Sequence, residues 1–144
     1  TRTGQGATEM TFVLTKEQIR AAQDFEMQPV PVPEWGGEDA VVYIKSMTSA
    51  QRIQFELGLT HDNETVRERK RERAKEQLIV LTVCDADGTL LFEDADIGWL
   101  REKSAKPIER LFYAARKLNG IGEDDVEQLV GNSAAARSDA SHID

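Results

Sequence analysis

The spacing of apolar positions changes several times along the chain, and each change predicts an element. Thr15-Lys-Glu-Gln18 has capping-box spacing, and Ile19, Ala21 and Ala22 follow it, so a short helix is expected over about 15–24. "QPVPVPEWGG" comes next. Prolines 29, 31 and 33 lack the N–H a sheet ladder needs, which predicts an extended edge segment ending in a glycine turn. "AVVYIKSM" is rich in β-branched and aromatic residues and reads as a strand. The two segments together predict a β-hairpin with Trp35 at its corner.

The second half reads as helix. Thr48-Ser-Ala-Gln51 is another capping box, and Ile53, Phe55 and Leu57 continue it to a stop near Gly58. Asp62 or Asn63 then caps a long helix opening "ETVRERKRERAKEQ". Glu64, Glu68, Glu72 and Glu76 recur four apart beside Arg67, Arg71 and Lys75, a spacing whose pairs each add about 0.2–0.5 kcal/mol and mark a solvated face, with a basic contact patch as the alternative. From Leu78 the run "QLIVLTVC" is apolar on most sides and fits a buried helix or strand. Helix is expected, because the charged run leads into it without a breaker, and "DADG" then stops it. "TLLF" is a short extended piece, and Asp94 or Asp96 caps a brief helix carrying Ile97 and Leu100. Ser104 is the next N-cap, with Pro107 in the first turn. Ile108, Leu111, Phe112, Ala115 and Leu118 form an amphipathic stripe that ends at Asn119-Gly120. A last short helix holds Val126, Leu129 and Val130.

These elements predict an α+β, mainly α, fold: a small N-terminal β-hairpin packed on a bundle of about four to five helices. Residues 1–9 read as a disordered lead-in or an expression remnant, 10–131 as a single domain, and 132–144, small and polar, as a disordered tail. The length of 144 residues suits one domain with a real core.

Composition narrows the function classes. A formal charge of −8 disfavours nucleic acid and anionic membranes as partners. No apolar run approaches the roughly 20 residues of a membrane helix, and no charged-then-apolar signal pattern opens the chain. The single cysteine, Cys84, has no internal disulfide partner and fits a reducing compartment.

"LIVLTVCDADGTLL" carries the one motif with catalytic spelling. A haloacid dehalogenase-type phosphatase would use Asp85 as nucleophile, Asp87 as general acid/base and Mg²⁺ as partner. Lys103 or Lys106 would then hold phosphate, and Glu123 to Asp125 the metal. The chain after Phe92 reads as helices, however, and lacks the buried strands that would position those groups. An EF-hand alignment with Gly88 at the sixth position puts Val83 at the first and Asp94 at the twelfth, which are poor calcium ligands. A polar turn explains the stretch better: Asp accepts backbone donors and Gly takes positive φ. His61, His142 and Cys84 make no metal set, and Cys84 reads as core in preference to a Cys84/His61 pair. No cofactor or metal is expected, and no enzyme activity.

The order of the pieces goes further than any one of them. "VPVPEWGGEDAVVYIKSMTSAQR", "CDADGTLLFEDADIGWLREKS" and "IERLFYAARKLNGIGEDDVEQLVGN", taken in sequence, resemble the tail assembly chaperones of long-tailed, siphovirus-type bacteriophages over about Val30 to Asn132. "PEWGG", the Asp85–Phe92 turn and "LNGI" at Leu118–Ile121 carry most of the likeness. The charged segment Thr60–Gln77 matches only in character. The resemblance implies a non-enzymatic protein of the infected host's cytoplasm, absent from the finished virion. It would bind the phage tape measure protein, keep it soluble and promote tail tube assembly around it. A frameshifted longer product would contact the major tail tube protein. A holdase must present apolar surface while staying soluble. The candidate surface is the hairpin flank, Trp35, Val42, Tyr43 and Ile44, with Phe112 and Tyr113. The rival readings are a generic helical protein-interaction domain and the phosphatase using Asp85 and Asp87.

Overall fold

The computed structural model describes residues 11–121. The lead-in at 1–9, the last helix at Val126–Val130 and the tail from Asn132 lie outside the described residues. Helix α1, Lys16–Ala21, carries the predicted capping box: Thr15 Oγ1 accepts from Gln18 N–H and Gln18 Oε1 from Thr15 N–H. It buries none of its side chains.

Strand β1 spans Met27–Pro31 and β2 Val41–Lys45. They pair antiparallel, with Val30 opposite Val42 and Gln28 opposite Ile44. The connection is not a plain glycine turn. Pro33 starts a single helical turn, α2 (Pro33–Gly36), closed by Gly37 at φ 98°. Trp35 sits in that turn, half-buried against the core. Glu34 in the same turn forms a fork with Arg110, at 2.8 and 2.7 Å, and Arg110 also donates to Pro31 O. That bidentate contact ties the hairpin's end to the last helix and holds the Glu34 carboxyl down at about 2.

The hairpin is the edge of a three-stranded sheet, because Val83–Cys84 form β3 and pair with β2. Ser46 N–H donates to Glu26 O and Val32 N–H to Ala40 O, so the even-numbered residues of β1 face β2 and the odd-numbered ones face outward. Of the outward backbone nitrogens, those of Pro29 and Pro31 carry no hydrogen. The open edge therefore offers almost no donors. On the far side, Leu91 N–H donates to Val83 O and Asp85 N–H to Thr89 O, so the following turn covers β3.

The helices are α3 (Ser49–Leu59), α4 (Glu64–Glu72), α5 (Ala74–Thr82), α6 (Ile97–Leu100) and α7 (Ala105–Leu118). Asp94–Asp96 form a 3-10 turn before α6. Two expectations need correction. The long charged helix is interrupted at Arg73 (φ −106°, ψ 10°), and the apolar run leaves the helix after Thr82. Each break has a tertiary cause. Helix α4 packs on α3, with Arg71 Nε donating to Leu59 O, whereas α5 packs on α7. Val83 and Cys84 gain sheet hydrogen bonds from β2 in place of helical ones. Thr82, wholly buried, satisfies its hydroxyl by donating to Leu78 O at 2.7 Å.

The core lies between the inward face of the sheet and α3, α5, α6 and α7. Ile44, Leu78, Ile79, Val83 and Leu111 are wholly buried, each contributing about 1.5–3 kcal/mol over exposure. The α7 stripe points inward as expected: Ile108, Leu111, Phe112 and Ala115 are buried and Leu118 packs against them. Asn119 ends α7 and Gly120 takes φ 69°.

Candidate partner interface

Strand geometry divides the expected hairpin surface in two. Successive side chains of a strand point to opposite faces. Ile44 and Val42 point into the core, Ile44 with no exposure and Val42 half-buried against the cluster. Tyr43 points the other way. Ile44 is thus a correction to the expected surface: it packs inside and is not available to a partner. Phe112 is a second correction, at 8% exposure, because it belongs to the inward stripe of α7. Its neighbour Tyr113, one residue around the helix, is 52% exposed.

An apolar outer flank of the hairpin does exist, made of other residues. Val41 and Met27 share the outward face with Tyr43 and are 49% and 39% exposed. Phe25 stands beside them with the Lys45 ammonium 6.0 Å from its ring centroid. Sequence reasoning missed these because it took three consecutive strand residues as one surface.

Tyr113 belongs to a basic and aromatic cluster. The Arg116 guanidinium lies 5.1 Å from the Phe112 ring centroid and 5.5 Å from that of Tyr113, and Lys117 covers Tyr113 at 5.5 Å. Lys75 reaches over Phe112 and pairs with Glu109. Such stacking keeps the aromatic faces partly covered by cations.

Asp85 and Asp87 sit in a turn whose geometry explains the spelling. Asp85 Oδ1 accepts from Asp87 N–H at 2.9 Å and Thr89 N–H at 3.0 Å, while Gly88 takes φ 89°. Lys45 Nζ donates to Gly88 O at 2.8 Å and pins the turn to β2. The aspartate is an Asx-type turn cap. Cys84 is buried in β3, and burial pushes its thiol up from the ordinary range. His61 lies in the α3–α4 connection, where its Nδ1 accepts from Asn63 N–H. Among the described residues no cluster of three or more His, Cys, Asp or Glu side chains is placed to hold a metal.

A concavity lies where α3 meets α4 and α5. It encloses about 420 Å³, and Leu57, Gly58, His61, Lys70, Ala74 and Leu81 are among its lining residues. A second hollow of about 250 Å³, lined by Arg69, Arg73 and Ile97 among others, continues it past Lys70, Gln77 and Asp94. Gly58 shapes the junction: a Cβ there would come within 3.3 Å of the Lys70 side chain, so the lysine stem lies directly on the α3 backbone. The sequence held a signal for this groove. In α3, Phe55 and Leu59 are buried, while Ile53 and Leu57, also four apart, are 51% and 61% exposed. The helix carries two apolar stripes and buries one.

Comparison with known proteins fits this architecture. The family model for phage tail assembly chaperones matches residues 15–130. The solved structure of the bacteriophage HK97 tail assembly chaperone superposes with a TM-score of 0.52 at 21% identity, over 71% of this chain and 94% of that one, which supports the fold. None of the curated proteins compared matches significantly. The matched span takes in the hairpin, the Asp85 turn and the Asn119-Gly120 helix end, and on it the chain belongs to the phage tail assembly chaperone family.

Proposed function

We propose that this chain binds the phage tape measure protein, holds it in solution before the tail tube forms, and promotes assembly of tube subunits around it. The observation carrying this reading is the amount of apolar surface left open on a folded, acidic domain. Phe12, Val13 and Leu14 stand in succession at 71%, 90% and 53% exposure, followed by Ile19 at 60%. Leu57, Trp99 and Tyr113 add further exposed positions on the helices. Contiguous exposure of this kind marks interaction surface. A charge of −8 keeps the molecule dispersed while that surface is open.

On this reading the chain works in the cytoplasm of the infected bacterium, is absent from the finished virion, and performs no catalysis. The major tail tube protein is the second partner, reached through a frameshifted longer product. Tyr43, half-buried on the outer sheet face, and Tyr113 are its aromatic anchors, since a phenol tolerates both water and a partner.

Co-expression with the cognate tape measure protein tests the reading. The partner should be soluble and co-purify with this chain, and should precipitate alone. Tyr43→Ala should weaken the complex by about 2 kcal/mol or more if Tyr43 is an anchor. Absence of both rescue and co-purification with the wild-type chain overturns the function. Full rescue by Tyr43→Ala overturns only that contact.

A further inference from the structure

Charge and shape together single out the groove between α3 and α4–α5. The protein is acidic overall, yet the rim formed by α4 is basic: Arg69, Lys70 and Arg73 line it. None of their side chains makes an ion pair with another described residue. Asp94 is the one carboxylate among the lining residues of the two hollows, and it accepts from Gln77 Nε2 at 3.2 Å. Leu57 and Leu81 supply the apolar wall, and Leu57 is 61% exposed. Three cations with no ion pair among the described residues thus stand beside an open apolar wall on a chain of net charge −8.

We propose that this groove docks an amphipathic helix whose apolar stripe is flanked by carboxylates. Apolar side chains of the helix would lie on Leu57 and Leu81, and its carboxylates would meet Arg69, Lys70 and Arg73, in the helix-in-groove manner. Lys70 is the key position. Its stem is laid on the α3 backbone at Gly58, so its ammonium is presented at the groove with less side-chain freedom to lose. The connection before α4 is braced as well: Arg67 donates to His61 O and Asp62 O, and Arg71 to Leu59 O. The inference rests on the reading that the chain holds an unassembled tape measure protein, and it specifies where and by what chemistry.

The test uses the full chain and two labelled peptides of about 18 residues, helix-forming, with leucine at i, i+3, i+4 and i+7. One peptide carries Glu at the flanking positions and the other Lys. Fluorescence anisotropy should show the Glu peptide binding at least about tenfold more tightly, with that preference fading as salt rises. Arg69→Glu combined with Lys70→Glu should abolish the preference, and Leu57→Ser should weaken both peptides. All three residues are exposed, so unchanged melting curves are expected alongside. Equal affinity for the two peptides, or a preference that survives the double charge reversal, overturns the proposal. So does binding that appears only when a dimer is diluted apart, since a second copy would then own the groove. Co-expression separates this inference from the function: tape measure rescue by the wild type and equally by the double reversal leaves the chaperone standing and sinks the groove.

Discussion

Replacing Asn119 by Ala isolates one long-range connection that the fold depends on. Asn119 Oδ1 accepts from Met47 N–H at 2.7 Å, and its Nδ2 donates to Ala115 O at 3.0 Å. The first bond spans 72 residues of sequence and fastens the end of α7 to the link between β2 and α3. Met47 is 9% exposed and the bond is part-buried, beside a hollow that Met47 and Asn119 both line, so water replaces the lost acceptor only in part. A buried donor left without a partner costs about 1–3 kcal/mol, and the lost bond to a terminal helix carbonyl adds about 0.5–1.5 kcal/mol. The two share one side chain and do not add fully, which gives about 2–3 kcal/mol for Asn119→Ala. For a domain of this size that lowers Tm by roughly 6–13 °C. Backbone strain contributes nothing, because Asn119 has φ −91° and ψ 6°, open to alanine. The Arg52 bond at 2.9 Å goes to the Asn119 backbone oxygen and survives the change. Asn119→Asp keeps an acceptor for Met47 but turns a carboxylate oxygen toward the Ala115 and Lys45 carbonyls at the negative end of α7, so it should not recover the loss. Urea melts of the three proteins, with amide exchange at Met47, measure this directly. A loss below about 0.5 kcal/mol for Asn119→Ala, or protection of the Met47 amide that the change leaves intact, would refute the account.

Asp85→Asn retains an Oδ1 acceptor for Asp87 and Thr89, so it should cost under about 0.5 kcal/mol, against about 0.5–2 kcal/mol for Asp85→Ala. Turnover of a chromogenic phosphate ester with Mg²⁺ that Asp85→Asn abolishes would revive the phosphatase. The Glu34 carboxyl, held at about 2 by Arg110 against an ordinary 4.5, stabilises the fold above 4.5 and loses that contribution as pH falls through about 2. Glu34→Gln should flatten the urea midpoint across that window, and an unchanged acid profile would contradict the pairing. Ile44→Ala should cost about 2–5 kcal/mol by opening a core cavity, and Tyr113→Ala less than about 0.5 kcal/mol. Similar losses for the two would mean that their faces are assigned wrongly.

Local chemistry was legible in the sequence wherever it decided the structure alone. Both capping boxes form, Asn63 caps α4 through Val66 N–H, and the α7 stripe turns inward. The proline-rich strand is the sheet edge. What the sequence hid was decided by distant partners. Val83 and Cys84 sit in an apolar run whose periodicity suits a buried helix and a buried strand equally, and only β2 settles the matter. Nothing in "RERAKEQ" breaks a helix, yet Arg73 does, because α4 and α5 serve different neighbours. Ser104 stands at the α7 N-cap as expected, but its hydroxyl makes no capping bond. The partner surface was legible least. Alternation within β2 separates Tyr43 from Val42 and Ile44, and the basic rim of the groove lies inside a run that reads first as a solvated helical face and only second as a basic contact patch.

The sheet limits how this chaperone can hold a partner. A strand-addition mode needs an edge with free donors and acceptors. Here the β1 edge presents Pro29 and Pro31 nitrogens outward, and β3 is covered by Thr89–Leu91. Closing both edges matters for a protein that leaves Phe12, Val13 and Leu14 open, because exposed apolar segments beside an open edge favour aggregation. With strand addition closed, the proposed recognition would fall to side chains: the outer face of β2 around Tyr43, the exposed stripe of α3, and α7 at Tyr113. Those surfaces suit helices better than extended chain, since grooves between helices accept ridges spaced three and four residues apart. A long helical partner offers that spacing repeatedly along its length. The protein's own acidity then sets a condition on the fit. If the groove proposal holds, acidic flanks on the partner are drawn to Arg69, Lys70 and Arg73 on an otherwise acidic chain, so charge would select the register that shape alone leaves open.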